Sequence, residues 1–166
     1  MANFYHTNIG EDKVESFKRL LYDVIAACPT LSFEEVYDGS EYRPVLVDKI
    51  RDQLTEITSF CGESVKNILG LSSNLQLKSV WAVYGKKNSS CPIHKHTEPS
   101  GGHYASTLYL ESQALTALYY IENDKRKYYY PKQGDLVVLP FDMYHGTTAQ
   151  KEESRITLNM DWVKVD

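Results

Sequence analysis

Apolar residues recur every three or four positions through the first part of the chain and every second position through the rest. Val14, Phe17, Leu21, Val24, Ile25 and Cys28 share one helical face and Pro29 closes the run, so a supporting helix is predicted over 11–28. A second, over 45–69, starts after Pro44 and carries Val47, Ile50, Leu54, Ile57, Val65, Ile68 and Leu69, with a break or kink expected near Gly62. Residues 29–43 between them read as a loop or irregular strand. From Leu75 the period is two, with strands predicted at 76–84, 104–110, 115–122, 127–130, 135–139 and 155–164, separated by Gly, Pro, Asn and Lys clusters. No repeat, low-complexity tract or linker interrupts the pattern. The expectation is one α+β, mainly β domain over 1–166, a jelly roll with its core at 76–164 braced by two N-terminal helices.

The last strand alternates cleanly. Arg155, Thr157, Asn159 and Asp161 fall on one side, and Ile156, Leu158, Met160 and Trp162 on the other. A half-exposed strand gives this pattern with its polar side in water. In a jelly roll the polar side can instead face a ligand-holding interior, and convergence of other polar residues there decides between the two.

The 166 residues suffice for one domain, and 42% hydrophobic with 24% charged residues is ordinary for a globular protein. A net charge of −4 leaves no basic excess to neutralise a phosphate backbone, so no nucleic acid partner is expected. No run is apolar and long enough for a bilayer, and the opening Met1-Ala2-Asn3-Phe4 has neither the basic nor the apolar part of a secretion signal. The expected setting is therefore cytoplasmic, away from membranes. Cys28, Cys61 and Cys91 form no Cys-x-x-Cys pair and read as reduced thiols outside any site. The 13 Tyr suit strands and pocket walls and offer a homodimer face.

Candidate chemistry is concentrated in Pro92-Ile93-His94-Lys95-His96-Thr97-Glu98, which offers three metal donors at alternate positions that an extended strand points the same way. A transition metal needs several donors within about 2.0–2.2 Å of one point. One strand supplies two, and His145, after the predicted 135–139 strand, is the natural third. Two histidines and a carboxylate cap one face of an octahedral iron and leave three positions for substrate and oxygen. His6 and His103 read as ordinary structural histidines.

Taken together, His94-Lys95-His96, Gly134-Asp135-Leu136-Val137-Val138-Leu139-Pro140, His145 and Arg155-Ile156-Thr157 resemble the Fe(II)- and 2-oxoglutarate-dependent oxygenases, in particular small members encoded by phages and bacteria. The resemblance spans about residues 76–163 and implies a double-stranded β-helix, Fe(II) and 2-oxoglutarate as co-substrate. It implies an enzyme, a dioxygenase acting as a hydroxylase, that couples 2-oxoglutarate decarboxylation to substrate oxidation, in the host cytoplasm if phage-encoded. By it, His145 is the distal ligand, Arg155 pairs with the far carboxylate of 2-oxoglutarate through its planar fork, and Thr157 takes a hydroxyl position beside it. Two registers are open for the first motif. His96 with Glu98 gives the two-histidine, one-carboxylate set and is the favoured reading, with His94 a fourth ligand or a supporting residue; His94 with His96 matches the His-x-His of the small members. Trp81, Tyr84, Tyr109, Tyr119 and Asn159 are candidate pocket residues.

The alternative is a cupin-like metal- or ligand-binding jelly roll without oxygenase activity, which shares Gly134, Pro140 and His145 but gives Arg155 no duty. Phosphate-loop, dinucleotide-turn, nucleophile-elbow and His-Glu-x-x-His motifs are all missing from the sequence. The expected substrate is a small molecule or a protein side chain.

Overall fold

In a computed structural model, residues 3–28, 34–36, 40–43, 51–96 and 103–165 are described. The chain opens with strand β1 (Tyr5–Asn8) and helix α1 (Glu11–Ala26), then β2 (Glu34–Val36) and β3 (Ser40–Arg43). A 3-10 turn (Arg51–Leu54) leads into helix α2 (Thr55–Leu69). The remaining strands are β4 (Asn74–Lys86), β5 (Cys91–His94), β6 (Tyr104–Glu111), β7 (Leu118–Glu122), β8 (Lys125–Tyr129), β9 (Asp135–Pro140), β10 (His145–Thr147) and β11 (Ser154–Val165).

Two antiparallel sheets result, a seven-stranded one in the order β1-β9-β6-β11-β4-β3-β2 and a four-stranded one in the order β5-β10-β7-β8. Each strand expected from the two-residue period is present. Pattern reading passed over β1, β5 and β10, none longer than four residues, because such short stretches carry too few alternations to register. The 29–43 stretch contributes two short strands at one edge of the larger sheet, β3 pairing with β4.

Helix α1 follows Gly10, whose φ of 89° turns the chain out of β1, and places Glu11 and Asp12 in its first turn, where the helix dipole favours acids. Val14, Phe17, Leu21 and Val24 are its buried face, as the periodicity requires. The helix ends before Pro29, at Ala26. Of the second helix expected over 45–69, residues 45–50 lie outside those described, 51–54 form the 3-10 turn, and α2 covers Thr55–Leu69. It runs unbroken through Gly62 and stops at Gly70, whose left-handed φ of 61° supplies the C-terminal cap. No break occurs at Gly62, where the glycine allows close packing: a Cβ there would stand 3.0 Å from the Trp162 ring.

Both helices cover one face of the larger sheet. Their core partners are Leu77, Val80, Ala82, Leu108, Leu110, Leu136, Val138 and the even-numbered residues Ile156 to Trp162. Strand β11 lies centrally, paired with β4 and β6, so its second face is turned toward the smaller sheet. The cavity described next lies between the sheets. Among the described residues no helix is long and apolar enough to cross a membrane.

Candidate metal centre and co-substrate cavity

The two sheets enclose a cavity of about 440 Å³ whose wall includes Arg155, Thr157 and Asn159 from β11, Trp81 from β4, Tyr109 from β6, and His94, His96 and His145. The polar side of β11 therefore faces an interior. Neighbouring side chains join it in a chain of hydrogen bonds: Thr107 Oγ1 donates to Asn159 Oδ1 (2.9 Å), and Asn159 Nδ2 donates to Thr157 Oγ1 (3.1 Å).

His94, His96 and His145 converge at this wall. Strand β10 lies between β5 and β7, and its His145 is the cross-strand partner of His94, which brings their ring centroids to 4.3 Å. His96 lies two residues past His94, its backbone N–H donating to Phe141 C=O (2.9 Å), and its ring is 5.3 Å from that of His145. One nitrogen from each of the three rings lies within 4.8 Å of the others, so a modest inward movement closes them on one ion.

Ring orientation follows from the acceptors around the trio. His94 Nδ1 lies 2.9 Å from Pro92 C=O and His145 Nδ1 lies 3.0 Å from Met143 C=O. A carbonyl only accepts, so each Nδ1 carries the proton and each Nε2 keeps its lone pair for a metal. Burial lowers the pKa of His145 to about 4, outweighing its bond to Met143, and burial also lowers that of His94. Both rings are therefore neutral at pH 7, the form that ligates.

Away from the trio, Arg155 is 9% exposed, and its Nη1 is buried with no hydrogen-bond partner among the described residues. Its guanidinium carbon stands 5.8 Å from the Tyr109 ring centroid, within cation–π range. Glu152, buried nearby, does not use up that cation. Its carboxylate accepts from Leu115 N–H (3.1 Å) and from Thr116 Oγ1, and these hydrogen bonds with Arg155's charge hold its pKa below the usual value although burial opposes them. A buried cation with an idle donor, facing a cavity, suits an anionic ligand.

Several expectations change. Tyr84 packs against the helix-side core, and Tyr119 lies on the outer face of the smaller sheet, its ring against Gly146 and under Arg126. The two-residue alternation explains both, since neighbours on each strand (Trp81 and Val83, Leu118) take the inward positions. Trp81 and Tyr109 do line the cavity. Glu98 lies outside the described residues. Cys91, read as outside any site, is in the cavity wall with Sγ 3.6 Å from His94 Nδ1; burial pushes its thiol up to about 11 despite Arg155, so it stands there protonated. Sequence reading assigned no role to Asp161, yet its Oδ1 lies 3.0 Å from His96 Nδ1. Its place on the polar side of the last strand was the available signal.

No protein-family model matches the chain, and no curated protein does either. Solved structures do. The α-ketoglutarate-dependent carbocyclase SnoK from nogalamycin biosynthesis aligns at a TM-score of 0.74 and 11% identity, over 97% of this chain and 79% of its own. A prolyl hydroxylase from Trichoplax adhaerens, in complex with a peptide fragment, aligns at 0.71 and 11% identity over 96% and 82%. HygX from Streptomyces hygroscopicus, with nickel, 2-oxoglutarate and hygromycin B bound, aligns at 0.70 and 15% identity over 97% and 82%. The chain thus has the jelly-roll fold shared by these 2-oxoglutarate-dependent oxygenases.

Proposed function

We propose that the protein is a non-haem Fe(II)- and 2-oxoglutarate-dependent oxygenase in which His94, His96 and His145 hold the metal and Arg155 binds the far carboxylate of 2-oxoglutarate. The observation that carries this is the pairing, within one cavity, of a trio of histidines with a buried guanidinium whose Nη1 has no partner among the described residues. Among the described residues the pair on this strand is His94 with His96; Glu98, the other candidate, lies outside them.

The donor set fits Fe(II): imidazole suits iron, and a facial trio leaves positions open. Bound there, Fe(II) would supply the oxygen chemistry that couples 2-oxoglutarate decarboxylation to substrate oxidation. The chain's part is to bind, orient and exclude water. Pro92 and Met143 carbonyls hold two ligand rings in the competent tautomer. Arg155, backed by Tyr109, offers a charge-assisted, two-point bond to a carboxylate, and Thr157 adds a hydroxyl on the same strand face. Val137, Leu139 and Leu118 add apolar surface to the wall, which strengthens that bond. The substrate is a small molecule or a protein side chain, in line with the hygromycin B and the peptide bound by two structures of this fold.

The test is an anaerobic titration of metal-free protein with Fe(II) and then 2-oxoglutarate, following the visible charge-transfer band of the chelated ketoacid. The band is expected in the wild type, absent in His145→Ala and weakened in Arg155→Ala. Iron binding without a band supports the cupin-like alternative, and absence of iron binding refutes both.

A further inference from the structure

Each ligand ring needs its Nδ1 held if Nε2 is to face a metal, and the protein holds the three rings unequally. His94 and His145 use backbone carbonyls. At His96 the neighbour is a carboxylate, Asp161, on the cavity face of β11, with both side chains about 15% exposed. Asp161 is itself fixed. Ser79, its cross-strand partner on β4, donates from Oγ to Asp161 Oδ2 (3.1 Å), and the flanking Met160 and Trp162 are buried in the helix-side core. An irregularity in the β4–β11 pairing lies just after Asp161, a feature that commonly re-aims side chains beside functional sites. What remains is Asp161 Oδ1, buried, without an aligned hydrogen bond among the described residues, and 3.0 Å from His96 Nδ1.

We propose that Asp161 is the positioning residue of the metal centre: Oδ1 accepts the Nδ1–H of His96 when the ring turns onto the ion, and its charge offsets that of the metal. The proposal rests on the histidine trio being a metal site. A small rotation of His96 removes the one misalignment around a carboxylate that Ser79 already anchors. The anion also answers an electrostatic need, because neutral imidazoles by themselves bring no negative charge to a divalent cation. A carboxylate bonded to a ligand imidazole raises the ring's basicity and fixes its direction, and loss of such a partner typically weakens metal binding about 10- to 100-fold.

The experiment is titration of the metal-free full-length protein with Co(II), read by the visible ligand-field spectrum and by affinity. Asp161→Asn, nearly the same size, is expected to bind Co(II) about 10- to 100-fold more weakly with an altered spectrum, while its metal-free melting temperature stays close to wild type. Asp161→Glu, which keeps the charge, is expected to recover part of the affinity. The decisive contrast is between backgrounds. Asp161→Asn should still cost its full factor in His94→Ala but change little in His96→Ala, because it acts through His96. Unchanged affinity and spectrum in Asp161→Asn, or an equal loss in both backgrounds, overturns the proposal and leaves the metal site standing. If wild-type protein takes up no Co(II), the metal site and the proposal fall together.

Discussion

The two faces of β11 are built from alternating residues of one strand yet serve opposite ends. Toward the helices, Ile156, Leu158, Met160 and Trp162 are 4% exposed or less and touch apolar neighbours. Toward the smaller sheet, Arg155, Thr157 and Asn159 line a cavity, and Asp161 meets the Ser79 hydroxyl and the His96 ring. The first face gains free energy by removing apolar surface from water. The second gives up some of that gain to hold polar groups in fixed directions, and Arg155 Nη1 has no partner on it among the described residues. A folded strand therefore separates stability from function by parity.

That separation is breakable. Leu158→Ala, fully buried on the helix side, is expected to cost about 2–5 kcal/mol of unfolding free energy. Urea denaturation measures it, and protein that stays folded should bind 2-oxoglutarate normally. On the opposite face Arg155→Ala is expected to weaken 2-oxoglutarate binding by about 2–5 kcal/mol, the cost of removing one partner of a buried charge pair. Calorimetric titration of the metal-loaded protein checks this, alongside a thermal midpoint near the wild-type value. Arg155→Lys should not rescue, because an ammonium lacks the planar fork. A midpoint collapse in Arg155→Ala would show that the cavity face also carries the fold.

The parity itself was legible in the sequence because β11 is twelve residues long and alternates without a fault. The pairing of His94 with His145 was legible only in part. Spacing suggested that they meet, but β10 is three residues long, and nothing in so short a run shows that it lies between β5 and β7. Tyr84 and Tyr119 were misplaced for a related reason: composition brought them to notice, whereas parity decides which way a strand residue faces. Asp161 stood on the correct side of a well-read strand, but its contact with His96 depends on how β4, β11 and the segment after β5 come together, which no local pattern encodes.

A smaller effect sharpens the comparison through pH. Because His145 is held near a pKa of 4 by burial, and a free histidine sits near 6.5, the unfolded chain takes up a proton that the folded one refuses. Stability of the metal-free protein is then unaffected above about pH 6.5 and falls as pH drops from there to about 4, by up to ~3 kcal/mol. His94, shifted the same way, adds to the fall. Melting curves across this range should show a clear drop in the wild type and a shallower one in His145→Gln, which has no proton to refuse. An equal drop in both would locate the pH sensitivity elsewhere, and bound metal should deepen the drop, because it holds the folded rings neutral while the unfolded chain still takes up protons.

The smallest expected effect lies at Gly62, on the helix side. In an exposed helix, glycine to alanine gains about 1 kcal/mol. Here the new methyl would stand 3.0 Å from Trp162 Cζ3 and 3.1 Å from Cη2. Trp162 has little room to yield, since it is 3% exposed and its Nε1–H donates to Ser106 Oγ (2.8 Å). The clash should therefore outweigh the helical gain, for a net loss of about 1 kcal/mol, within the usual cost of overpacking. Denaturation of Gly62→Ala alone and combined with Ser106→Ala tests the reason: with its tether removed the indole can shift, and Gly62→Ala should cost less in that background. A stabilised single variant would mean that the indole gives way regardless, and that the contact between α2 and β11 is looser than its distances imply.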